Sequence, residues 1–396
     1  MTPPSRRWLV LVSYMLVAAL SQALWLNFAP LLSLVQKTYG VSELVASTLV
    51  MVFPLLYVLV SVPAGTLTDR KGYRFTIGLG AVLMALCSAL RIYDRSFAAL
   101  LAGQIGVALA QPLVVNGITK LVADWFEERQ GALATGLGTM GMFLGMAAGM
   151  AATPPLVEAL GLRGAMIAFT GASVAVAGLF LALVRPNPRG PAAASSDTAP
   201  RGMRQLLRDR DLLLVCLLGF VGLGFFNGLT TWLEQILAPN GVSAVDAGMV
   251  GGMLVIGGIV GAVVIPALSD RFRRRKPFVL LCTAVALATV YPLCASGHYA
   301  TLLVLAALLG FFFLPAYALL LEMSAELAGP AQAGSATGLL MLAGNAGGVA
   351  VIVSMQAVKG DAPTYRAAVF LLLGLLATGL LVAALVRETY RRRTAE

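Results

Sequence analysis

Twelve long runs of apolar residues, separated by short polar segments, make up most of this chain of 396 residues. A helix that crosses the hydrocarbon core of a bilayer needs ~20 such residues. The runs cover approximately residues 8–35, 43–67, 75–91, 97–121, 131–154, 162–184, 211–237, 246–268, 278–295, 300–323, 334–357 and 365–386. Only 12% of the residues are charged, about half the share in a soluble domain. The pattern therefore predicts an all-α integral membrane protein with twelve transmembrane helices.

The basic residues are distributed unequally between the two sides that twelve spans define. The formal charge of +10 could suggest a nucleic-acid partner, but the Lys and Arg residues lie in short loops between apolar runs, as in membrane proteins. The side that holds both termini carries 22 of the 28 basic residues. The other side carries Lys37, Arg91, Arg95, Arg163, Lys359 and Arg366. Because basic loops stay in the cytoplasm, we expect cytoplasmic termini, a bacterial inner membrane and no nucleic-acid partner.

The residues that usually carry enzymatic or metal chemistry are scarce. The four cysteines lie within apolar runs and lack the spacing of a metal site. The single histidine of the sequence, His298, lies in a short loop. Neither a nucleophile with its base nor a set of metal ligands can be assembled from these residues. We therefore expect no metal, no cofactor and no enzymatic activity.

The longest polar stretch, residues 185–210, divides the chain into two halves of six runs each, residues 1–184 and 211–396. It is rich in Pro, Ala and Ser, which is typical of a linker. Its last part, 204–210, is expected to form a short basic helix on the inner membrane surface.

Short sequences recur in the two halves at a nearly constant separation. The matching pairs are 68–70 (TDR) with 269–271 (SDR), 134–137 with 336–339 (both ATGL), and Pro112 with Pro315, at offsets of 201, 202 and 203 residues. The offsets indicate a six-plus-six duplication. Repeated halves of this kind place a substrate cavity between them. We therefore expect a monomer in the lipid bilayer that moves a small molecule by alternating access.

A charged motif follows the second run: Gly65-Thr-Leu-Thr-Asp69-Arg70-Lys-Gly72-Tyr-Arg74. It resembles the signature of the major facilitator superfamily at this position, and the resemblance extends over the whole chain and implies the major facilitator fold. The gating motif would then comprise Gly65, Asp69, Arg70, Gly72 and Arg74, with Asp270 and Arg271 as a second copy. In that family the acidic residue braces the start of the eleventh helix, so the resemblance implies that Asp69 faces the helix N-terminus near 334–335. The alternative is that these are ordinary anchoring charges.

Several shorter segments are similar to the haem/choline transporter family named after the feline leukaemia virus subgroup C receptor. They include residues 21–28 (SQALWLNF), 124–126 (DWF) and 226–235 (FNGLTTWLEQ). In that family an aromatic pair and two glutamines line the choline site. By this resemblance Trp25 corresponds to the first aromatic residue of the pair, and Asn227 stands at the position of the second. The glutamines fall on Phe143 and Asn345, so three of the four positions differ from the choline-binding set.

Polar side chains inside the runs are costly in lipid unless they face a cavity or a partner. Asn227, Thr230, Thr231 and Glu234 are spaced i, i+3, i+4 and i+7 and share one helical face. We expect a substrate site formed by Trp25, Gln111, Phe143, Asn227, Thr230, Thr231, Tyr317 and Asn345. Glu234 is a candidate to bind a coupling proton or cation, or alternatively a hydrated acid at the cavity mouth.

The first run presents a choice between two polar residues. On a regular helix Asn27 points about 200° away from Trp25, so both cannot face one cavity unless the helix is distorted. We expect Trp25 to face it.

Aromatic faces and neutral amides without a central Arg or Lys favour a neutral or cationic solute. The leading hypothesis is therefore secondary active or facilitative transport of a small organic solute, namely an amine, another cation or a neutral amphipathic metabolite. The first alternative is a proton-driven multidrug or metabolite exporter, which the glycines of the fifth run favour. The second is a receptor or scaffold that uses a transporter fold without transport, and the gating motif argues against it.

Overall fold

The structure is a computed structural model that describes residues 4–93, 95–184, 206–329 and 332–390. Within these ranges the chain forms α-helices and short 3-10 segments and no strand. The chain divides into two compact units, residues 1–195 and 196–396. The N-terminal unit contains α1 (Pro4–Leu26), α2 (Leu32–Tyr39), α3 (Glu43–Lys71), α4 (Tyr73–Leu90), α5 (Phe97–Val115), α6 (Gly117–Trp125) and α7 (Glu128–Leu183). The C-terminal unit contains α8 (Arg210–Leu237), α9 (Ala244–Phe272), α10 (Lys276–Ala295), α11 (Tyr299–Ala328), α12 (Ala333–Lys359) and α13 (Arg366–Leu385).

The lengths of the helices confirm the predicted membrane fold. Among the described residues, eleven helical stretches are long and apolar enough to cross a bilayer. One of them, Leu133–Leu183, has 51 residues and would be about 75 Å long, so it crosses a core of ~30 Å twice. It turns at Gly161, where φ is 71° and ψ is 169°, a conformation that glycine adopts at low cost. Two spans therefore share α7, and the total is twelve.

The predicted linker, residues 185–210, lies largely outside the described residues. The same holds for the first two residues of its predicted surface helix, Arg204 and Gln205. The described part shows where α8 starts, because the Asp209 carboxylate accepts a hydrogen bond of 3.0 Å from the Leu212 amide. An acidic N-cap of this kind satisfies one of the amides that a helix start leaves without a partner.

The first span is a broken helix. α1 ends at Leu26, a turn contains Asn27 and Phe28, a 3-10 segment follows at Ala29–Leu31, and α2 then continues the span. Pro30 lies within the 3-10 segment. Proline has no amide proton and its ring clashes with the preceding turn of an α-helix, which accounts for the interruption. The distortion that would let Asn27 and Trp25 serve one site is therefore present.

Glycines allow the principal helix pairs within each unit to approach closely. Cβ atoms added at Gly141, Gly145 and Gly149 of α7 would collide with the backbone of α1, and the Gly145 position would overlap the carbonyl oxygen of Ala19. In the C-terminal unit, a Cβ atom at Gly347 of α12 would likewise collide with α8. Small residues at helix interfaces are a usual source of packing energy in lipid. The glycines of the fifth run thus serve helix packing.

Replacing Gly145 with valine should prevent the close approach of α7 to α1. We expect the free energy of unfolding to fall by about 3 kcal/mol or more, because the colliding group is backbone and cannot rotate away. Thermal unfolding of the purified protein in detergent measures this loss. Gly171 of the same helix is the matched control, since nothing lies within 4 Å of a Cβ atom added there. Equal losses for Gly145→Val and Gly171→Val would contradict the packing role.

Candidate functional site

The predicted polar face of α8 lies in the interior of the C-terminal unit. The side chains of Asn227, Thr230, Thr231 and Glu234 are all buried. The Thr230 hydroxyl donates to the carbonyl of Phe226 at 2.7 Å, and the Asn227 Nδ2 donates to the carbonyl of Leu223 at 2.9 Å. Both bonds join residues of α8 itself. They leave other polar atoms of this face without a hydrogen bond among the described residues.

Two atoms of this face have no hydrogen-bond partner among the described residues. They are Oδ1 of Asn227 and Oγ1 of Thr231. The Asn227 side chain abuts Gly348 of α12, where a Cβ atom would lie 2.6 Å from Nδ2. Leaving a buried polar atom unbonded costs ~1–3 kcal/mol. An unsatisfied acceptor on a face of this kind is what a substrate-binding residue would show before the substrate arrives.

Trp25, the residue expected to bind substrate in the first span, is held by the scaffold. Its indole Nε1 donates to the carbonyl of Val50 at 3.2 Å, and its ring stacks on Phe53 with 6.2 Å between centroids. The Val50 carbonyl would accept from residue 54 in a regular helix, but Pro54 has no amide proton. Trp25 therefore compensates for Pro54 in α3, and any contact of Trp25 with substrate would use its ring.

Gln104 of α5 compensates for the break in α1 in the same way. Its Nε2 donates to the carbonyls of Leu24 at 3.1 Å and Leu49 at 3.0 Å. The Leu24 carbonyl would accept from the amide of Phe28 if α1 continued, and the turn releases it. Because both partners are carbonyl oxygens, the amide orientation is fixed. Its Oε1 is then left buried without a partner among the described residues.

Asn27 lies in the break of α1 and is completely buried. Neither its Oδ1 nor its Nδ2 has a hydrogen-bond partner among the described residues. Asn27 and Asn227 occur 200 residues apart, each in the first span of its unit, so the two halves share a buried amide with a free acceptor. A regular helix would turn Asn27 away from the face that holds Trp25, and for that reason the sequence favoured Trp25. Pro30 was the signal that the helix is not regular at this point.

A buried arginine packs beside this break. Arg91, at the end of α4, is completely buried, and its guanidinium lies 5.1 Å from the centre of the Phe28 ring. Its Nη2 also donates to the sulfur of Met166 at 3.2 Å. The ring face attracts the cation and holds the segment after Asn27 against α4. The sequence placed Arg91 only in a loop, and no local pattern indicates its burial.

The remaining predicted substrate residues lie in less constrained positions. Gln111 is buried on α5, two turns after Gln104. Phe143, Tyr317 and Asn345 are half-buried on α7, α11 and α12. The Asn345 Nδ2 donates to the carbonyl of Met341 at 2.9 Å, one turn back. Whether these residues bind substrate stays a prediction.

In the N-terminal unit, the predicted gating motif lies at the junction of α3 and α4. Asp69 and Arg70 are exposed, Gly72 has φ of 80°, and the Arg74 Nε donates to the carbonyl of Val184 at 2.7 Å. Arg74 thus ties the start of α4 to the end of α7. The predicted contact of Asp69 with the helix start near 334–335 joins the two units and stays a prediction.

In the C-terminal unit, the corresponding charges converge on Arg275 rather than on Arg271. Arg275 is buried, and its guanidinium lies 2.7 Å from Asp270, 2.7 Å from Glu322 and 3.4 Å from Glu326. Burial lowers the pKa of the Arg275 guanidinium, but the three carboxylates outweigh burial and raise the pKa above its ordinary value. Arg271 is exposed. The offset of 201 residues from Arg74 was the signal that could have identified Arg275.

The chain after α13 covers this cluster. The Glu388 carboxylate accepts from the amides of Arg275 at 2.8 Å and Lys276 at 3.2 Å. Thr389 donates to Glu326 at 2.5 Å, and the Tyr390 ring lies 5.0 Å from the Arg275 guanidinium. The tail therefore connects the start of α10 to the end of α11 at this side of the unit.

Replacing Arg275 with glutamine should destabilise the C-terminal unit, because three carboxylates would be left without their shared cation. Breaking a buried pair costs ~3–5 kcal/mol. Since Asp270 and Glu322 are about half exposed and water screens them, we expect about 2 kcal/mol here. Thermal unfolding measures the loss. The exposed Arg271→Gln is the control, and a loss for that variant as large as for Arg275→Gln would contradict the assignment.

The loop before Arg275 contains a backbone position that suits glycine. Gly72 and Arg273 are equivalent at the offset of 201 residues, and both adopt positive φ, 80° and 52°. Arg273 is the only non-glycine residue with positive φ in the part of the chain that the structure describes. A side chain in this left-handed conformation costs ~1–2 kcal/mol.

Replacing Arg273 with glycine should therefore stabilise the protein. We expect a gain of about 0.5–1 kcal/mol, because relief of strain exceeds the added flexibility of the unfolded chain. Thermal unfolding is again the measurement. Arg274→Gly removes the same charge at ordinary φ and should give no gain. A loss of stability for Arg273→Gly would show that the side chain, rather than the backbone, matters there.

Comparison with known proteins identifies relatives that agree with this architecture. Solute carrier family 49 member A3 of Xenopus tropicalis is 29% identical over 373 residues, which are 89% of this chain and 77% of that protein. The choline/ethanolamine transporter FLVCR1 of Felis catus is 25% identical over 414 residues, 98% of this chain and 74% of that protein. These relatives confirm the resemblance to the feline leukaemia virus receptor family.

A solved structure shares the fold. The crystal structure of a bacterial homolog of the human lysosomal transporter Spinster, in an inward-facing and occupied conformation, aligns with a TM-score of 0.75 over 97% of each chain at 15% identity. At that identity the likeness shows the fold alone. The family model described as Major Facilitator Superfamily matches residues 14–352 and 236–396, and so covers most of the chain. The chain therefore belongs to the major facilitator superfamily of membrane transporters.

Proposed function

We propose that this protein carries a small organic amine across the membrane by alternating access, and that the amine bears at least one N–H donor. The observation that carries the proposal is the pair of buried asparagines, Asn27 and Asn227, whose side-chain oxygens have no partner among the described residues. Each lies in the first span of its half. A protonated amine supplies the donors that these oxygens lack.

The unbonded amide oxygens require a ligand that donates hydrogen bonds, and the unbonded Nδ2 of Asn27 can in addition donate to an acceptor on the same ligand. Besides the two asparagines, Oε1 of Gln22 and Oε1 of Gln104 are buried acceptors without a partner in the described structure. Hydrogen bonds between a charged and a neutral group contribute ~1.5–3 kcal/mol each. An ammonium group gains a charge-assisted hydrogen bond from each such oxygen that it contacts. A carboxylate or phosphate would add further acceptors and leave them unbonded.

The relatives support the same chemical class. FLVCR1 is named as a choline/ethanolamine transporter, and both of those solutes are small organic ammonium compounds. Of the four choline-site positions implied by the resemblance, this chain keeps only Trp25. A quaternary ammonium has no N–H donor and depends on aromatic faces, whereas a primary or secondary amine suits the amides at Asn227 and Asn345. We therefore propose a primary or secondary amine as the preferred substrate.

In this proposal the charged loops after α3 and α9 form a gate at the side of the termini. Asp69 is exposed and thus available to a partner that changes between states. Arg275 and its three carboxylates make the opposite loop rigid. The signature loop, the duplication and the fold of the solved relative all support alternating access, in which one half rocks against the other.

The proposal also includes the orientation of the chain in the membrane and the role of Glu234 in coupling. The excess of basic residues on the side of the termini supports cytoplasmic termini, and we propose the inner membrane of a bacterium as the location. Glu234 is buried on the same face of α8 as Asn227. It would bind a proton if transport is coupled, and it would only attract the cationic substrate if transport is facilitative.

Uptake of labelled amines into liposomes tests the proposal. We expect uptake of ethanolamine-like primary amines to exceed uptake of choline. Asn227→Leu should reduce it about tenfold or more, because one charge-assisted hydrogen bond is lost. Asn227→Asp keeps an acceptor oxygen and should retain uptake. Thr231→Val is the second test variant, and Thr378→Val is its control, since Thr378 is exposed on α13 and bonds only to the carbonyl of Gly374.

The same liposomes separate the competing functions. Uptake unaffected by a proton gradient in the wild type and in Glu234→Gln indicates a facilitator, whereas gradient-driven uptake lost in Glu234→Gln indicates proton coupling. Gradient-driven export of dyes, without amine uptake, would favour the multidrug exporter. Absence of flux for every amine would refute the proposal. Trp25→Phe keeps the ring but removes the bond to Val50, and so distinguishes substrate contact from support of α3.

A further inference from the structure

A cavity of about 310 Å³ lies at the end of the C-terminal unit remote from residue 390. The end of α8, the end of α10 and the start of α13 form its walls. Its polar lining consists of Asn240, Tyr291, Thr364, Tyr365 and Arg366, and the remaining lining is mostly apolar. The cavity lies apart from the polar face of α8 around Asn227, and the proposed amine site does not use it.

Among the residues that the structure describes, Arg366 is the only charged one that lines this cavity. It is exposed and forms no ion pair with the described residues. The carboxylates at the same end of the unit, Glu234, Asp246 and Asp361, do not line the cavity. A ligand entering it therefore meets a positive group and hydroxyls and no negative charge.

The neighbouring polar groups make the cavity wall rigid. The Asn240 Nδ2 donates to the carbonyl of Cys294 at 3.1 Å and so fixes the end of α8 to the end of α10. The Tyr365 hydroxyl lies 2.6 Å from Oε1 of Gln235, and its ring lies 5.3 Å from the Trp232 ring. Because these groups are engaged with one another, Arg366, Tyr291 and Thr364 are left to contact a ligand.

We propose that this cavity binds the headgroup of an anionic phospholipid, with the phosphodiester contacting Arg366. Helix ends of a membrane protein lie at the level of the headgroups. Tyr291 and Phe370, 40% and 55% exposed, pack together with 6.1 Å between ring centroids. Aromatic side chains of this kind accumulate where lipid meets water. The apolar part of the lining, which includes Val369 and Cys294, suits the glycerol and the first methylenes of the acyl chains.

A soluble anion could meet the same arginine, but the mixed lining favours a lipid. A free phosphate would leave the apolar wall in contact with water, whereas an amphipathic lipid covers both parts. Arg side chains bind phosphate oxygens with two parallel hydrogen bonds. The structure therefore assigns the site to a lipid.

Native mass spectrometry and thermal unfolding of the full chain in detergent test the proposal. We expect phosphatidylglycerol to be retained and to raise the unfolding temperature more than phosphatidylcholine or inorganic phosphate does. Arg366→Gln should weaken retention about tenfold, because the charge-assisted contact is lost. Ala295→Leu places a larger side chain in the lining and should weaken retention with every charge intact. It keeps the test valid if Arg366→Gln folds poorly.

Arg163→Gln is the matched control. Arg163 is also exposed and lies in the loop between the two spans of α7, far from this cavity in the sequence. It should retain phosphatidylglycerol as the wild type does. Equal stabilisation by inorganic phosphate would overturn the lipid assignment in favour of a soluble anion. Retention that none of these substitutions changes, or equal retention of phosphatidylcholine, would mean that only non-specific boundary lipid is bound.

Discussion

A bilayer supplies no hydrogen bonds to the chain that crosses it, and most of what is notable in this structure follows from that constraint. Each carbonyl that a proline or a helix break releases must find a donor inside the protein. Trp25 bonds to the carbonyl that Pro54 releases, and Gln104 bonds to the one that the break in α1 releases. In contrast, the side-chain oxygens of Asn27 and Asn227 have no partner among the described residues, and they are the atoms on which the proposed amine site depends.

The same absence of water decides how the helices pack. Apolar faces gain little from leaving lipid for one another, so close contact of backbones has to hold the helices together. Gly145 against Ala19, and Gly347 against Phe220, repeat one arrangement in both units. These close contacts fix the positions of α1 and α8, and the two buried asparagines lie in the spans that these helices form. Packing and the proposed binding site are thus products of the same helix pairs.

The two units show how a duplication diverges under shared constraints. The turn at Gly72 and Arg273 keeps positive φ in both, although only one copy has the residue that adopts it easily. Arg74 binds a backbone carbonyl, while its counterpart Arg275 gathers three carboxylates and the C-terminal tail. The N-terminal loop keeps its charges exposed, whereas Arg275 holds the charges of the C-terminal loop together.

The sequence alone determined the membrane fold, the number of spans and the superfamily, and it predicted a duplication, because apolar length, charge placement and repeated motifs are properties of the linear chain. It also indicated the polar face of α8, since helical periodicity is regular there. Only the tertiary structure decided that Trp25 supports α3, that Asn27 is buried without a partner and that Arg275 is the centre of the charge cluster. Each of these three findings depends on which atoms of a neighbouring helix lie within reach. A helix break at Pro30 or a carbonyl released by Pro54 changes those atoms, but it leaves the pattern of apolar residues in the sequence unchanged.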